Sequence, residues 1–268
     1  MVVKKYELKV KNFGKVNWTG FKTLLLKEVS RFLIVWAQTI LSPLVSSLLF
    51  LLVLSLAIGD ERGVVLGLPF ITFLAPGLIA MSIIQQAFSH SVSSIMIAKI
   101  QGNIVDTLMA PLSATEVTLA VVLASVVRSF IILIISVIVF SFIINISIHN
   151  ILFIIVGSFL GSFILGILGF ITGQYALKFD HTATVTNFII TPASFLSGVF
   201  YTTDNLPPFF QSISQWNPFF YIIDITRFGF LGVSDGSIRF GLIYLIIIAF
   251  ALWLLCWYLY LKGWKLKN

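Results

Sequence analysis

Few residues in this chain are of the types that carry catalysis, and their positions are scattered. His90, His149 and His181 fall in different segments, and Cys256 is the single cysteine. Their spacing matches no metal-ligand set, and no combination of serine, histidine and aspartate is suggested. The sequence also lacks a G-x-x-x-x-G-K-[ST] loop for ATP. We therefore predict no catalytic residue, no metal and no cofactor bound by this chain.

Ionisable side chains inside apolar segments would instead point to ion-coupled transport. No Asp or Glu lies within a predicted membrane span, and Arg128 is the one charged residue well inside a span. Gln85 and Gln86 make another span unusually polar. These three side chains are candidates to line a cavity, although Arg128 has an equal alternative, which is to reach back to the membrane surface. An ion-coupled secondary transporter is disfavoured and stays the alternative from another functional class.

A polar loop at 98–116 has the pattern of a docking element. Its first part, Lys99 to Met109, predicts a short amphipathic helix with Ile100 and Ile104 on one face and Asp106 opposite. A helix parallel to the membrane suits contact with a cytoplasmic protein, and a structural turn without a partner is the equal alternative. The residues assigned to this contact are Lys99, Gln101, Asn103, Asp106, Met109 and Pro111.

Two helix starts are marked by capping residues. Pro111 ends the short helix, and the following Ser113-Ala-Thr-Glu116 has the spacing of a capping box. Asn217 and Pro218 have the types preferred at the N-cap and first position of a later helix.

The region 201–238, between the last two predicted spans, is apolar but interrupted by prolines. Its pieces after Pro207 and Pro218 are too short to cross a bilayer, which takes about 20 residues. We predict external re-entrant helices, with Asp224 and Arg227 spaced to pair on one helix face. The region is either a gate or a lid that only packs on the spans. The candidate gate residues are Tyr201, Pro207, Trp216, Asn217, Pro218, Asp224 and Arg227.

The bulk composition indicates what positions these residues. The chain has 268 residues, of which 59% are hydrophobic and 10% charged, with a mean hydropathy of +1.06. A soluble domain has about 25% charged residues. The apolar runs are continuous rather than alternating, which indicates helices rather than barrel strands. We predict an all-α membrane protein with six transmembrane helices.

Residues 1–31 are basic, and an apolar stripe near their end predicts an amphipathic helix in the membrane interface. The alternative is a solvated basic tail. Residues 32–261 form one transmembrane domain, and 262–268 a basic tail. The spans are predicted at about 32–58, 69–97, 117–146, 151–177, 183–200 and 240–261. In the fourth span, one face carries glycines that allow close helix packing: Gly157, Gly161, Gly169 and Gly173.

The distribution of lysine and arginine predicts the orientation. With six spans, 13 of the 17 lie in segments on the side of the termini, and three lie opposite. The positive-inside rule therefore places both termini in the cytoplasm and the region 201–238 outside. The net charge of +7 thus reflects topology rather than a nucleic-acid partner.

Seven short motifs occur in an order and spacing that is specific as a set. They are K-E-x-x-R-F at Lys27–Phe32, F-L-A-P-G-L at Phe73–Leu78, M-A-P-L-S at 109–113, P-A-S-F-L-S-G-V-F-Y at Pro192–Tyr201, then L-P-P-F-F-Q, W-N-P-F-F-Y and R-F-G-F-L-G. With them the chain resembles the type-2 family of ATP-binding-cassette (ABC) export permeases over nearly its whole length. The resemblance is closest to the YadH-like branch of bacterial inner-membrane permeases.

The resemblance implies a partner and a mechanism. Two copies of such a permease pair with two copies of a separately encoded ATPase, which holds ATP and Mg. The loop 98–116 would be the coupling helix, braced by the N-terminal helix, and ATP hydrolysis would drive a substrate outward. Family members export polysaccharides, lipid-linked saccharides, drugs and other amphipathic molecules. We favour a lipid-like or drug-like substrate over a saccharide, because the external aromatic residues resemble anchors in the headgroup layer. A membrane scaffold without transport activity is a third reading.

Overall fold

Long apolar helices dominate the fold, as the sequence predicts. The structure is a computed structural model that describes residues 16–58, 63–144 and 146–266. Within these residues, five helices are long and apolar enough to cross a membrane: Ala37–Ala57, Phe70–Ile100, Ala114–Ser141, Ile151–Tyr175 and Ile238–Leu261. The basic residues predicted at 1–15 and the end of the tail at 267–268 lie outside the described residues.

The elements follow one another with short connections. The helices are α1 (Trp18–Ile34), α2 (Ser42–Ile58), α3 (Phe70–Ile100), α4 (Ile104–Met109), α5 (Ala114–Ser141), α6 (Ile151–Tyr175), α7 (Phe179–Val185), α8 (Thr191–Phe195), α9 (Pro208–Trp216), α10 (Pro218–Leu231) and α11 (Ile238–Leu261). Two π-helical turns, Ala37–Leu41 and Thr186–Ile190, precede α2 and α8, and a 3-10 turn covers Thr203–Asn205. The strands β1 (Val64–Val65) and β2 (Leu68–Pro69) pair antiparallel between α2 and α3.

The N-terminal amphipathic helix continues past the predicted boundary at residue 31. α1 runs to Ile34, and its predicted apolar face is confirmed, because Leu24 and Phe32 are buried while Lys27 is exposed. Beyond it, the Thr39 hydroxyl donates to the Phe32 carbonyl at 2.8 Å. The first helix that is long and apolar enough to cross a membrane begins at Ala37 rather than at Phe32.

The predicted fifth span at 183–200 corresponds to three consecutive helical pieces. α7, the π-helical turn Thr186–Ile190 and α8 cover Phe179–Phe195 without a break. The segment is shorter than the five long helices, because its start is polar at Asp180 and His181 and Leu196 leaves the helical conformation. A sixth membrane crossing here stays a prediction.

α6 lies at the centre of the bundle and uses its glycine face as predicted. Gly157 lies against Thr226 of α10, and Gly169 lies against the backbone of Phe88 in α3. A Cβ atom at Gly169 would come within 2.4 Å of the Phe88 carbonyl oxygen. The glycines therefore set the distance at which α3 and α10 pack on α6.

The two ends of the bundle have different neighbours. At one end, α1, α4 and the chain after α11 share a buried apolar cluster that contains Leu24, Ile104 and Leu266. At the other end, the N–H of Asn150 donates to the Gly229 carbonyl at 2.8 Å, which joins the start of α6 to the end of α10. The N-terminal helix, the loop at 98–116 and the C-terminal turn thus lie together.

Candidate functional site

The predicted docking loop contains a helix that is shorter than expected. α3 continues to Ile100, and Gly102 then adopts φ +76°, a left-handed conformation that glycine accepts without a steric cost. α4 begins only at Ile104. The prediction of one helix from Lys99 to Met109 is therefore wrong, because its first residues complete α3.

Two of the predicted docking residues bond to the protein itself. The Lys99 ammonium donates to the carbonyl oxygens of Gln174 and Ala176, each at 2.7 Å. A cation at this position satisfies the last carbonyls of α6 and interacts favourably with its dipole. The Pro111 carbonyl accepts the side-chain amide of Asn17 at 3.0 Å. Lys99 and Pro111 thus fix the loop to α6 and to the start of α1.

The other predicted docking residues form the tip of the loop. Gln101, Asn103, Asp106 and Met109 are exposed, and the exposed fraction of Met109 reaches 82%. Beneath them, Ile104 is buried in the cluster shared with α1. The tip therefore exposes both polar and apolar side chains above a buried base.

Glu116 holds the base of this loop to the N-terminal helix. The predicted capping box is confirmed, because the N–H of Ser113 donates to the Glu116 carboxylate at 2.6 Å and the Ser113 hydroxyl accepts the Glu116 N–H. The second carboxylate oxygen accepts the N–H of Asn17 at 2.5 Å. One buried carboxylate thus receives one backbone N–H from the loop and one from the start of α1.

We expect Glu116→Gln to destabilise the protein by about 1.5–3 kcal/mol, because the amide group replaces one acceptor oxygen and leaves a backbone N–H unpaired. The change in unfolding temperature of the purified protein in detergent measures this effect. Asp106→Asn is the matched control, since it makes the same chemical change at an exposed position. Equal unfolding temperatures for Glu116→Gln and the unaltered protein would contradict the assigned role.

The region 201–238 contains two helices opened by prolines, α9 and α10, as predicted. Asn217 caps α10, because its side-chain oxygen accepts the N–H of Phe219 at 3.0 Å. The amide nitrogen of Asn217 donates to the Ala193 carbonyl at 2.9 Å and to the Ser197 hydroxyl at 3.1 Å. The start of α10 is thereby bound to the end of α8.

The other predicted gate residues before α10 differ in their exposure. Pro207 directly precedes α9, and the Tyr201 hydroxyl donates to the Phe195 carbonyl at 3.3 Å. Trp216 ends α9 with an exposed fraction of 75%, and Phe209 near its start is also exposed. The exposed aromatic rings therefore concentrate on α9, while α10 lies inside the fold.

Asp224 and Arg227 are both buried, but they do not form the predicted ion pair with each other. The Asp224 carboxylate accepts the backbone N–H groups of Asp235 at 2.8 Å and Gly236 at 3.0 Å. The Arg227 guanidinium donates to the Gly198 carbonyl at 2.7 Å. Each charged side chain of α10 thus bonds a different neighbouring loop.

Gln85 and Gln86 line a cavity of about 290 Å³ between α2, α3 and the segment around α8. Arg128 is buried and is not among the residues that line this cavity. Its guanidinium donates to the Thr39 carbonyl at 2.9 Å and to the side-chain oxygen of Gln86. The predicted cavity-lining role is therefore wrong for Arg128, whose guanidinium bonds to Gln86 of α3 and to the turn before α2 instead.

A polar cluster between α1 and α3 was missed in the sequence. Glu28 lies buried on the apolar face of α1, where it accepts hydrogen bonds from Arg31 at 3.0 Å and from Ser94 at 2.7 Å. His90 is buried beside them, 3.9 Å from the Glu28 carboxylate. The signal was present, because Glu28 follows Leu24 by four residues and therefore shares its helix face.

Each of the three histidines lies beside an aromatic ring. The ring centroid of His90 is 5.6 Å from that of Phe32, and the His149 ring is 5.8 Å from that of Phe228. Within the residues that the structure describes, no three His, Cys, Asp or Glu side chains are placed to hold a metal ion.

The similarity to known proteins extends over most of the chain. Residues 19–231 match the family model described as ABC-2 type transporter. The chain is 33% identical over 253 residues to the inner membrane transport permease YadH of Escherichia coli K12, which covers 94% of this chain and 98% of that one. YadH of Shigella flexneri gives the same values. Nodulation protein J of Sinorhizobium fredii is 23% identical over 202 residues, or 75% of this chain and 77% of that one.

Proposed function

The chain belongs to the ABC-2 type transporter family, and on this premise we propose that it exports an amphipathic, lipid-like or drug-like substrate. As a permease of this family it is the membrane component of an ABC transporter of the bacterial inner membrane rather than an enzyme, and the family implies a partner ATPase. In the proposal, that separate subunit binds ATP and Mg, and its hydrolysis of ATP drives the substrate outward.

We propose six membrane crossings with both termini in the cytoplasm. The described parts of the N-terminal and C-terminal regions share one buried cluster, which supports an even number of crossings. The helical segment Phe179–Phe195 begins just after Ala176, which ends α6, and it ends shortly before the region 201–238. In the proposal this segment is the sixth crossing. The concentration of lysine and arginine on the side of the termini agrees with this orientation.

A second copy of the chain and membrane lipid complete the proposed assembly. α2 and α11 are apolar and largely exposed within one copy, with large side chains such as Leu56 and Ile247 on their surfaces. Apolar side chains on such surfaces require a lipid or protein neighbour. A dimer of this chain would place part of these surfaces against its second copy.

The exposed tip of α4 on a fixed base is the observation that carries the coupling role. Asp106 and Met109 are free to contact a partner, while Glu116 and Pro111 hold the base to Asn17. Lys99 connects the same loop to the end of α6. A displacement of the tip by the ATPase would therefore be passed to α1 and α6, and from α6 to α10, against which it packs.

Charge reversal at the tip tests this coupling. We expect Asp106→Lys to reduce permease-dependent stimulation of the ATPase at least about tenfold, because a reversed charge at a contact costs affinity. Assembly of the permease should survive, since Asp106 is exposed. The measurement is ATP hydrolysis and ATP-driven transport by the pair reconstituted in vesicles.

Asp180→Lys provides the matched control, because it reverses an exposed aspartate at the start of α7. We expect it to leave stimulation and transport unchanged. Normal ATP-driven transport by Asp106→Lys would contradict docking of the ATPase on α4. Transport that needs a proton or sodium gradient and no ATP would favour the ion-coupled alternative.

A panel of lipids, glycans and drugs in the same assay addresses the substrate. Phe209 and Trp216 are exposed on α9, where aromatic rings suit the headgroup layer of the outer leaflet. We therefore expect lipid-like or drug-like compounds to stimulate ATP hydrolysis more than soluble glycans. Stimulation by polysaccharide or lipid-linked saccharide alone would select the alternative substrate class.

A further inference from the structure

The chain reverses direction directly after α11. Gly263 adopts φ +66°, and its N–H donates to the Tyr260 carbonyl at 2.9 Å. The N–H of Trp264 donates to the Leu259 carbonyl at 3.0 Å. These two bonds form a Schellman motif, in which a left-handed glycine ends a helix. Leu266 then lies in the buried apolar cluster shared with α1 and α4, so the turn is fixed at both of its ends.

This turn places lysine side chains against aromatic rings. The Lys265 ammonium lies 4.4 Å from the ring centroid of Tyr175, the last residue of α6, and 5.6 Å from that of Trp264. The rings of Tyr175 and Trp264 are stacked with their centroids 6.1 Å apart. The Lys262 ammonium lies 4.5 Å from the Tyr258 ring centroid. A ring face attracts a cation, and the ammonium keeps N–H donors for a further ligand.

The lysines at this end of the bundle lack an anionic partner in the protein. Within the described part of the chain, neither Lys262 nor Lys265 forms an ion pair or donates a hydrogen bond to another group. Lys178, in the turn after α6, is exposed and also forms no ion pair. The neighbouring Asp180 pairs with none of the three. Their positive charge is therefore available to an anion from outside the chain.

The helix ends beside these lysines do not oppose an anion. The last carbonyls of a helix carry a partial negative charge. At the end of α6, the Lys99 ammonium donates to the carbonyls of Gln174 and Ala176, each at 2.7 Å. At the end of α11, the Schellman turn pairs the carbonyls of Leu259 and Tyr260. An anion between the two helix ends would meet ammonium groups, while these carbonyls are already paired.

Exposed apolar side chains adjoin the lysines on α11. Leu261 directly precedes Lys262 and has an exposed fraction of 60%, and Leu254 and Leu255 in the preceding two turns are also exposed. α11 is one of the helices long and apolar enough to cross a membrane. Tyrosine and tryptophan, which lie beside the lysines, are typical of the membrane–water interface. The surface therefore joins cationic and apolar parts in the order in which a phospholipid presents its phosphate and its acyl chains.

We propose that Lys178, Lys262 and Lys265, beside the rings of Tyr175 and Trp264, bind the headgroup of an anionic phospholipid in the cytoplasmic leaflet. The lysines contact the phosphate, and the exposed leucines of α11 contact the acyl chains. A lipid bound there joins the end of α6 to the turn after α11, and through that turn to the cluster shared with α1 and α4. The choice of leaflet rests on the proposed orientation, whereas the binding does not depend on which substrate is exported.

Native mass spectrometry of the purified full chain in a nonionic detergent tests this binding. Phosphatidylglycerol and phosphatidylcholine with the same acyl chains are titrated separately, because both contain a phosphate but only the first has a net negative charge. We expect phosphatidylglycerol to bind at least about tenfold more tightly, since each lysine near an anionic headgroup contributes about fivefold in affinity. An equal concentration of inorganic phosphate should not displace it, because free phosphate lacks acyl chains.

Lys262→Gln with Lys265→Gln removes two charges from the site and keeps long polar side chains. We expect this double variant to bind phosphatidylglycerol at least about tenfold more weakly. Lys178→Gln, which leaves the turn after α11 unaltered, should weaken binding about fivefold. Lys22→Gln with Lys27→Gln makes the same change in net charge at exposed positions of α1 and should bind as the unaltered chain does. The unfolding temperature confirms that each variant is folded.

Equal affinity for the two lipids would overturn the proposal. Equal losses in the two double variants would also overturn it, because net charge alone would then explain the binding. Displacement of phosphatidylglycerol by an equal concentration of inorganic phosphate would show a phosphate site instead of a lipid site. The measurement uses the permease alone, so it is separate from transport. A preference for phosphatidylglycerol in a chain without ATP-driven transport would count against the proposed export function only.

Discussion

Arg227→Met is expected to destabilise the protein by about 3–5 kcal/mol. The guanidinium of Arg227 is 1% exposed, donates to the carbonyls of Gly198 and Val199, and lies 3.9 Å above the Phe73 ring. Methionine keeps a long apolar side chain against that ring, so the substitution mainly removes the charge and its donors. Two buried carbonyls then lose their partner, and the buried Asp224 carboxylate loses a nearby opposite charge.

The unfolding temperature of the purified protein measures the loss. Arg239→Met is the matched control, because the same substitution is made at an exposed position at the start of α11. We expect it to change stability by less than about 0.5 kcal/mol. If Arg227→Met unfolded at the same temperature as this control, the guanidinium would have no structural role.

A double-mutant cycle with Asp224→Asn tests whether the two charges stabilise each other without direct contact. Residues on one helix at this spacing are neighbours, and both side chains are buried. We expect the double variant to lose less stability than the sum of the single variants, because the second change removes an unbalanced charge. Additive losses would show that the loops held by each side chain are independent.

The elements that sequence reasoning predicted are those determined by local patterns. The apolar face of α1, with Leu24 and Phe32 buried, follows from helical periodicity alone. The capping box of Ser113 and Glu116 and the cap by Asn217 depend on residues within a few positions of each other. These features depend only on the geometry of a single helix and its first residues, so they can be predicted without knowing how the rest of the chain folds.

Features that depend on distant parts of the chain were not predictable in the same way. Asp224 and Arg227 have the spacing of an ion pair, but each side chain instead forms hydrogen bonds with backbone groups of a different neighbouring loop. Lys99 was predicted to contact a docking partner, but the fold places the end of α6 beside it. The partner in each case is more than ten residues away, where periodicity carries no information.

The cavity shows an intermediate case. Gln85 and Gln86 stood out because they interrupt an apolar span. Ser42 and Ser46 did not, because single serines are common in membrane helices and their shared face becomes evident only beside α3. Their spacing of four residues, which places both on one face of α2, was a usable signal.

Gly169→Ala is expected to destabilise the protein by about 3 kcal/mol or more, at the upper end of overpacking effects. The new Cβ atom would lie 2.4 Å from the Phe88 carbonyl oxygen and 3.1 Å from the Ser91 Cβ, so α3 and α6 must move apart. The backbone of α3 cannot rotate away as the end of a flexible side chain can. The unfolding temperature and the yield of monodisperse protein measure this loss.

The sign of this effect is informative, because alanine in place of glycine favours an isolated helix by about 1 kcal/mol. Gly157→Ala, on the same face of α6, is the matched control. Its Cβ would lie 2.7 Å from the Thr226 hydroxyl and 3.2 Å from the nearest backbone atom, the Thr226 nitrogen, so the backbone clash is weaker than at Gly169 and the loss should be smaller. An unfolding temperature of Gly169→Ala at or above that of the unaltered protein would mean that the helix gain exceeds the clash. The contact of α3 with α6 would then be adaptable, and α6 could not transmit a displacement from the loop at 98–116 to α10 as a rigid element.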